Sequence, residues 1–112
     1  MTISFYKDDL KIEEKQVINQ SQLKSILEFE FLDYKTTIDL ETKTLTRENE
    51  EFLFFLDFLK KECSITLKQE KLELNIGVDY CSFSGDNNII ILEYTIETED
   101  KKNKMMIKEG NK

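Results

Sequence analysis

Histidine is absent from the chain. Its absence removes Ser-His and Cys-His nucleophile pairs and every metal centre that needs an imidazole ligand. Glycine is scarce: Gly77, Gly85 and Gly110 stand apart and no GK[ST] occurs, so no phosphate-cradling loop is encoded. The stretch SGDNN could offer oxygens to a hard cation, but it lacks the alternating acids and terminal Glu of a calcium loop and reads as a surface turn. Proline, tryptophan and alanine are missing too, and a single arginine stands against fifteen lysines, a usage that suits an AT-rich bacterial or phage genome.

Cysteine is limited to Cys63 and Cys81, with no CxxC pair. In a reducing compartment two such residues read as small hydrophobes rather than a disulfide or a metal clip. No apolar run approaches the roughly 18 residues that span a bilayer. The opening MTISFYKDDL has neither the basic region nor the apolar region of a signal peptide, so the expected location is cytoplasmic.

What is present is a chain of 112 residues, 39% hydrophobic and 35% charged, with eight Phe and four Tyr. That balance suits one small folded domain with a strongly solvated surface. The net charge is −7 and is unevenly spread. Residues 28–57 carry nine acids against three bases, residues 58–100 nine against four, and residues 101–112 one against five. Between Leu72 and Asp100 there is no base at all. A nucleic-acid binder needs cations to neutralise phosphates, so direct binding of DNA or RNA is disfavoured and a basic protein partner is favoured.

Periodicity then suggests elements. TISFY reads as a first strand followed by a KDD turn, and Tyr34 to Leu40 alternates as one arm of a hairpin turning at ETK. SITL, LELNIGVDY and NIIILEYTIETED read as further strands, CSFSGDNN as a loop, and Met105 to Ile107 as a short strand. Thr46 to Cys63, TRENEEFLFFLDFLKKEC, reads as the main helix: Thr46 stands where an N-cap belongs, acids fill the first turn, and Lys60 and Lys61 close the last. Ser21 could cap a second, shorter helix.

The expected fold is therefore α+β: a single domain over residues 1–112 with an antiparallel sheet of four to six strands. A main helix over about 47–62 would pack on one face, with a possible short helix over about 21–28 and a basic, flexible tail from about 101 to 112. No internal repeat is apparent.

Two surfaces stand out as partner-binding candidates. The first is a carboxylate row, Glu93, Glu97 and Glu99, joined by Glu73 and Asp79 from a neighbouring strand and with Asp100 beside it; it is far sparser than the charge on duplex DNA. The second is Phe54 with Phe58, which a helix would place together away from its core stripe, rimmed by charge. No catalytic residue, metal ligand or cofactor is expected. The composition is of the kind seen in inhibitor, immunity and anti-defence proteins. The leading expectation is a small acidic, non-enzymatic protein that blocks a basic nuclease or nucleic-acid-binding site on a protein partner, with no membrane role. The alternatives are a structural or assembly subunit that forms a homodimer through Phe54 and Phe58, and an enzyme that uses paired carboxylates with a divalent metal.

Overall fold

A computed structural model describes residues 1–16, 25–85 and 88–109. They form eleven strands: β1 (Thr2–Lys7), β2 (Leu10–Gln16), β3 (Ile26–Phe31), β4 (Tyr34–Asp39), β5 (Thr44–Glu48), β6 (Phe52–Asp57), β7 (Glu62–Leu67), β8 (Leu72–Ile76), β9 (Val78–Gly85), β10 (Ile89–Ile96) and β11 (Asn103–Lys108). Among the described residues there is no helix, so the α+β expectation is replaced by an all-β architecture of two antiparallel sheets. None of it is long, apolar helix of the kind that crosses a membrane.

The chain divides into two compact units, one from the described residues of Met1–Leu23 and Asp79–Lys112, the other from those of Lys24–Val78. The first holds a five-stranded sheet in the order β2-β1-β11-β10-β9. Strict alternation in β10 buries Ile90, Leu92, Tyr94 and Ile96, and the same face takes Met105 and Ile107 from β11 and Ile3 and Phe5 from β1. Residues 103–108, expected as a basic tail with a short strand, are the central strand of this sheet.

The second unit is a six-stranded meander in sequence order, β3-β4-β5-β6-β7-β8. Its registers place Leu27, Ile38, Leu45, Leu56 and Cys63 opposite one another across five strands, and all five are buried. This row is the core of the unit.

The turns explain why the meander was hidden. With no proline and few glycines, the chain turns on Asp, Asn and Lys. Asp8 and Asp9, like Leu32 and Asp33, take positive φ in pairs, as a two-residue I′ hairpin requires. Two longer loops are near copies. Asp39 Oδ1 accepts the backbone N–H groups of Glu41 and Thr42, and Asp57 Oδ1 accepts those of Leu59 and Lys60. Both loops close on a lysine in the left-handed region, Lys43 at φ 57° and Lys61 at φ 56°. The segments IDLETKTL and LDFLKKEC, 18 residues apart, are thus one hairpin written twice, a repeat that the sequence reading passed over.

The expected main helix over 47–62 is cut by two such turns. Asn49 Oδ1 accepts the N–H groups of Glu51 and Phe52, which makes the acids of the supposed first turn a hairpin loop, while Lys60 and Lys61 belong to the Asp57 loop. Between them, FLFFLD is β6, flanked by β5 and β7 and apolar on both faces. A strand with neighbours on both edges and aromatic, β-favouring side chains explains the dense apolar run without any helix.

The expected short helix over 21–28 is overturned in part: residues 26–28 lie in β3, and residues 21–24 lie outside the described residues. LELNIGVDY is not one strand. It breaks at Gly77 into β8 and β9, which belong to different sheets. Cys81 to Gly85, expected as loop, extend β9, and the strand expected to run through Glu99 ends at Ile96.

Candidate partner-binding face

The registers of the meander assign every side chain to a face. Opposite the buried row lie Ile26, Glu28 and Glu30 of β3, then Lys35, Thr37 and Asp39 of β4, and Thr44, Thr46 and Glu48 of β5. The same face continues with Leu53, Phe55 and Asp57 of β6, Glu62, Ser64 and Thr66 of β7, and Glu73 and Asn75 of β8. None of these is buried. Seven are acids, Glu28, Glu30, Asp39, Glu48, Asp57, Glu62 and Glu73, and Lys35 is the one base. Every acid within the strands of the unit falls on this wet face, by alternation alone.

The carboxylates are spaced rather than crowded. Asp39 and Asp57 are two strands apart, as are Glu30 and Glu48, so each pair of backbones is separated by about 10 Å. Glu48 is engaged within the fold. Lys68 Nζ lies 2.7 Å from Glu48 Oε2, and this hydrogen bond holds the Glu48 carboxyl below the usual range against the opposing effect of burial. Asp39 and Asp57 are engaged by the loop amides. Glu28, Glu30, Glu62 and Glu73 stand exposed at the margins.

Leu53 and Phe55 are half-buried near the middle of the face, where Phe55 sits in register between Thr46 and Ser64. Beside Phe55 a hollow of about 460 Å³ reaches across β7 to β8, lined by Glu62, Ser64, Glu73 and Asn75 together with Lys61, Cys63 and Ile76. A second hollow of about 440 Å³ is lined by Glu30, Asp33, Glu48 and Glu50 with Lys35 and Lys68. The arrangement is an apolar centre in an acidic margin, the anatomy of a polar-rimmed contact surface. Among the described residues no three acids or cysteines converge as metal ligands.

The residues singled out from sequence are scattered by the fold. Glu73 lies on this face, whereas Asp79 is the second residue of β9, falls in the other unit and is exposed. Glu93 lies on β10 opposite Lys104, with Lys102 Nζ 3.6 Å from its carboxylate. Glu97, Glu99 and Asp100 fall beyond the end of β10 and do not continue its row. Glu99 is held by Lys7 Nζ at 2.7 Å and Asn103 Nδ2 at 2.8 Å. Burial pushes the Glu99 carboxyl up, but those two donors outweigh it and hold the group below its ordinary value.

Phe54 and Phe58 lie on different elements, a strand and a loop. Phe54 is half-buried on the core-side face of β6, between Arg47 and Ile65, and Phe58 is buried in the Asp57 loop. The residues missed from sequence are the acids of β3 to β7. Their signal was the alternation of Glu28 and Glu30 with Leu27, Phe29 and Phe31, legible once 26–31 is taken as a strand.

The chain matches no family model, no curated protein and no solved structure.

Proposed function

We propose that the protein is a non-enzymatic binding protein whose acidic sheet face covers a basic surface on a protein partner, a nuclease or other nucleic-acid-binding effector being the favoured class. The observation that carries this reading is the segregation of seven acids against one lysine on the wet face of the meander, around a half-buried Phe55. An arginine of the partner would stack on Phe55 and reach Glu62 or Glu73 across the adjacent hollow, combining ring and carboxylate recognition. The spacing is too open to copy a duplex phosphate by phosphate, so the target is a basic protein surface and the mimicry is of charge sign. Cys63 and Cys81 are thiols rather than a disulfide, which suits the reducing cytoplasm in which we place it.

The test is inhibition and direct binding measured against a panel of purified basic nucleases at low and high salt. The quadruple variant Glu28→Gln, Glu30→Gln, Glu62→Gln and Glu73→Gln removes exposed charge without touching the turns. Binding should weaken at least tenfold and lose most of its salt dependence. Binding by the variant equal to that of the parent, or no association with any basic protein at low salt, would overturn the reading.

A further inference from the structure

We propose that a second copy of this chain pairs antiparallel with the outer edge of β8, joining two six-stranded meanders into one continuous sheet. β8 ends the sheet, with no described strand beyond it, and four of its five residues are exposed. A terminal strand presents a row of backbone N–H and C=O groups that template another strand unless something blocks them.

Two of the other three terminal strands, β2 and β3, show what blocking looks like. β2 carries Lys11, Glu13, Glu14 and Lys15 and pairs with β1 through a register shift at Phe5/Tyr6. β3 sets Glu28 and Glu30 on its wet face and buries Leu27, Phe29 and Phe31 on the other. β8 has only Glu73 on its wet face by way of such devices. Its sequence, LELNI, holds no lysine, no proline and no irregular pairing, and its core-side face is uncovered: Leu72 is 46% and Leu74 42% exposed. Those two leucines continue an apolar surface inward. Leu74 sits in register with Ile65 and then Phe54, and Leu72 with Leu67 and then Phe52. Two rows of three apolar side chains thus run from the middle of the sheet to an open edge.

The sequence of β8 is complementary to itself. With Leu74 on a two-fold axis, Leu74 faces its own copy, Leu72 faces Ile76, and Glu73 faces Asn75. Facing residues then have the same parity, so outward backbone groups meet outward backbone groups and apolar side chains meet apolar ones on one face. No like charges are opposed. Centring the axis on Glu73 would set that carboxylate against its twin, which disfavours the slipped register. An isologous contact uses both β8 edges and closes at two copies, so the product is a dimer rather than a fibre. The seam shares Glu73 and Asn75 with the acidic face, but its pairing rests on backbone groups and on the leucines of the opposite face, so loss of basic-protein binding and loss of the dimer are separate outcomes.

Light scattering coupled to size exclusion, over a wide concentration range, should show a dimer that dissociates on dilution. Leu74→Lys places two cations at the axis and should leave monomer at concentrations where the parent is dimeric. Leu10→Lys, at an exposed site on β2, should change nothing. Register is tested by charge at position 75. Asn75→Lys would face Glu73 of the other copy twice and should tighten the dimer about fivefold, whereas Asn75→Glu should loosen it by a similar factor. A parent that stays monomeric at every concentration, a Leu74→Lys variant that remains dimeric with an unchanged β-sheet circular dichroism spectrum, or position-75 variants that shift the equilibrium in the same direction would each overturn the proposal.

Discussion

Asp39 and Asp57 hold the same position in two successive hairpins: each accepts two loop amides at one carboxylate oxygen, four residues before a loop lysine adopts positive φ. The aspartate supplies the acceptor and the fourth loop residue supplies the left-handed turn. Together they do what Asn-Gly or Pro-Gly pairs do elsewhere.

Removing one acceptor therefore leaves two amide donors to water or to strain. Asp57→Ala should lower stability by about 1 kcal/mol or somewhat more, and Asp57→Asn should recover most of it because the amide oxygen still accepts. Urea denaturation of the two variants checks this, and equal losses would show that the carboxylate acts by charge instead.

That same chemistry decides how much of the fold was legible. Strands whose faces alternate cleanly, such as Ile90-Leu92-Tyr94-Ile96 in β10, were readable because burial alone fixes their period. The stretch from Thr46 to Cys63 was not, because β6 is apolar on both faces and its flanking turns are built from Asn49, Asp57 and Lys61 rather than from glycine or proline. Acids before an apolar run and lysines after it satisfy a helix dipole and a pair of hairpin loops equally well. The candidate face followed the same logic. Glu73 could be found from its alternating neighbours, while Glu28, Glu48, Asp57 and Glu62 stayed hidden behind two supposed helices. Glu97 and Glu99 were misassigned because strand periodicity carries no signal for where pairing stops.

Leu32 gives a second prediction. It occupies a turn position at φ 53°, where a β-carbon is crowded and glycine or asparagine is the usual occupant. Leu32→Gly should raise stability by about 0.5–1 kcal/mol despite the added freedom of the unfolded chain. A loss on thermal or urea unfolding would mean that the half-buried leucyl side chain contributes more packing than its backbone costs.

Glu99 predicts a pH dependence. Its folded carboxyl lies below the ordinary value of 4.5, so the unfolded chain takes up its proton first. The contribution of its contacts with Lys7 and Asn103 is fully present above about pH 4.5 and is lost as pH falls through the depressed folded value. Glu99→Gln should therefore be less stable than the parent at neutral pH and converge with it at strongly acid pH. A constant difference across the range would assign the effect to packing.

Cys63 and Cys81 should differ in reactivity. Burial pushes the Cys63 thiol up to about 11, so little thiolate forms at mildly alkaline pH, and the side chain lies in the core row beside Leu56. Cys81 is half-buried on β9. Iodoacetamide should label Cys81 first in the native protein and both residues after unfolding, as read by intact mass. Labelling of Cys63 at the same rate would indicate frequent local opening of β7.

The contrast between Leu56 and Leu74 separates the core from the exposed edge. Both lie on the same face of the meander, but Leu56 is fully buried between Leu45 and Cys63, whereas Leu74 is 42% exposed on the last strand. Leu56→Ala deletes a side chain enclosed on all sides and should cost about 2–5 kcal/mol, the range for cavity formation in a packed core. Leu74→Ser removes partly solvated surface and, measured at a concentration low enough to keep the chain monomeric, should change stability by no more than about 0.5 kcal/mol. At high concentration the same variant should lose the extra stability that dimer formation gives the parent through mass action. A large loss for Leu74→Ser at low concentration would mean that this edge is part of the core of a single chain. It would also leave the apolar rows ending at β8 without the role of an intermolecular seam.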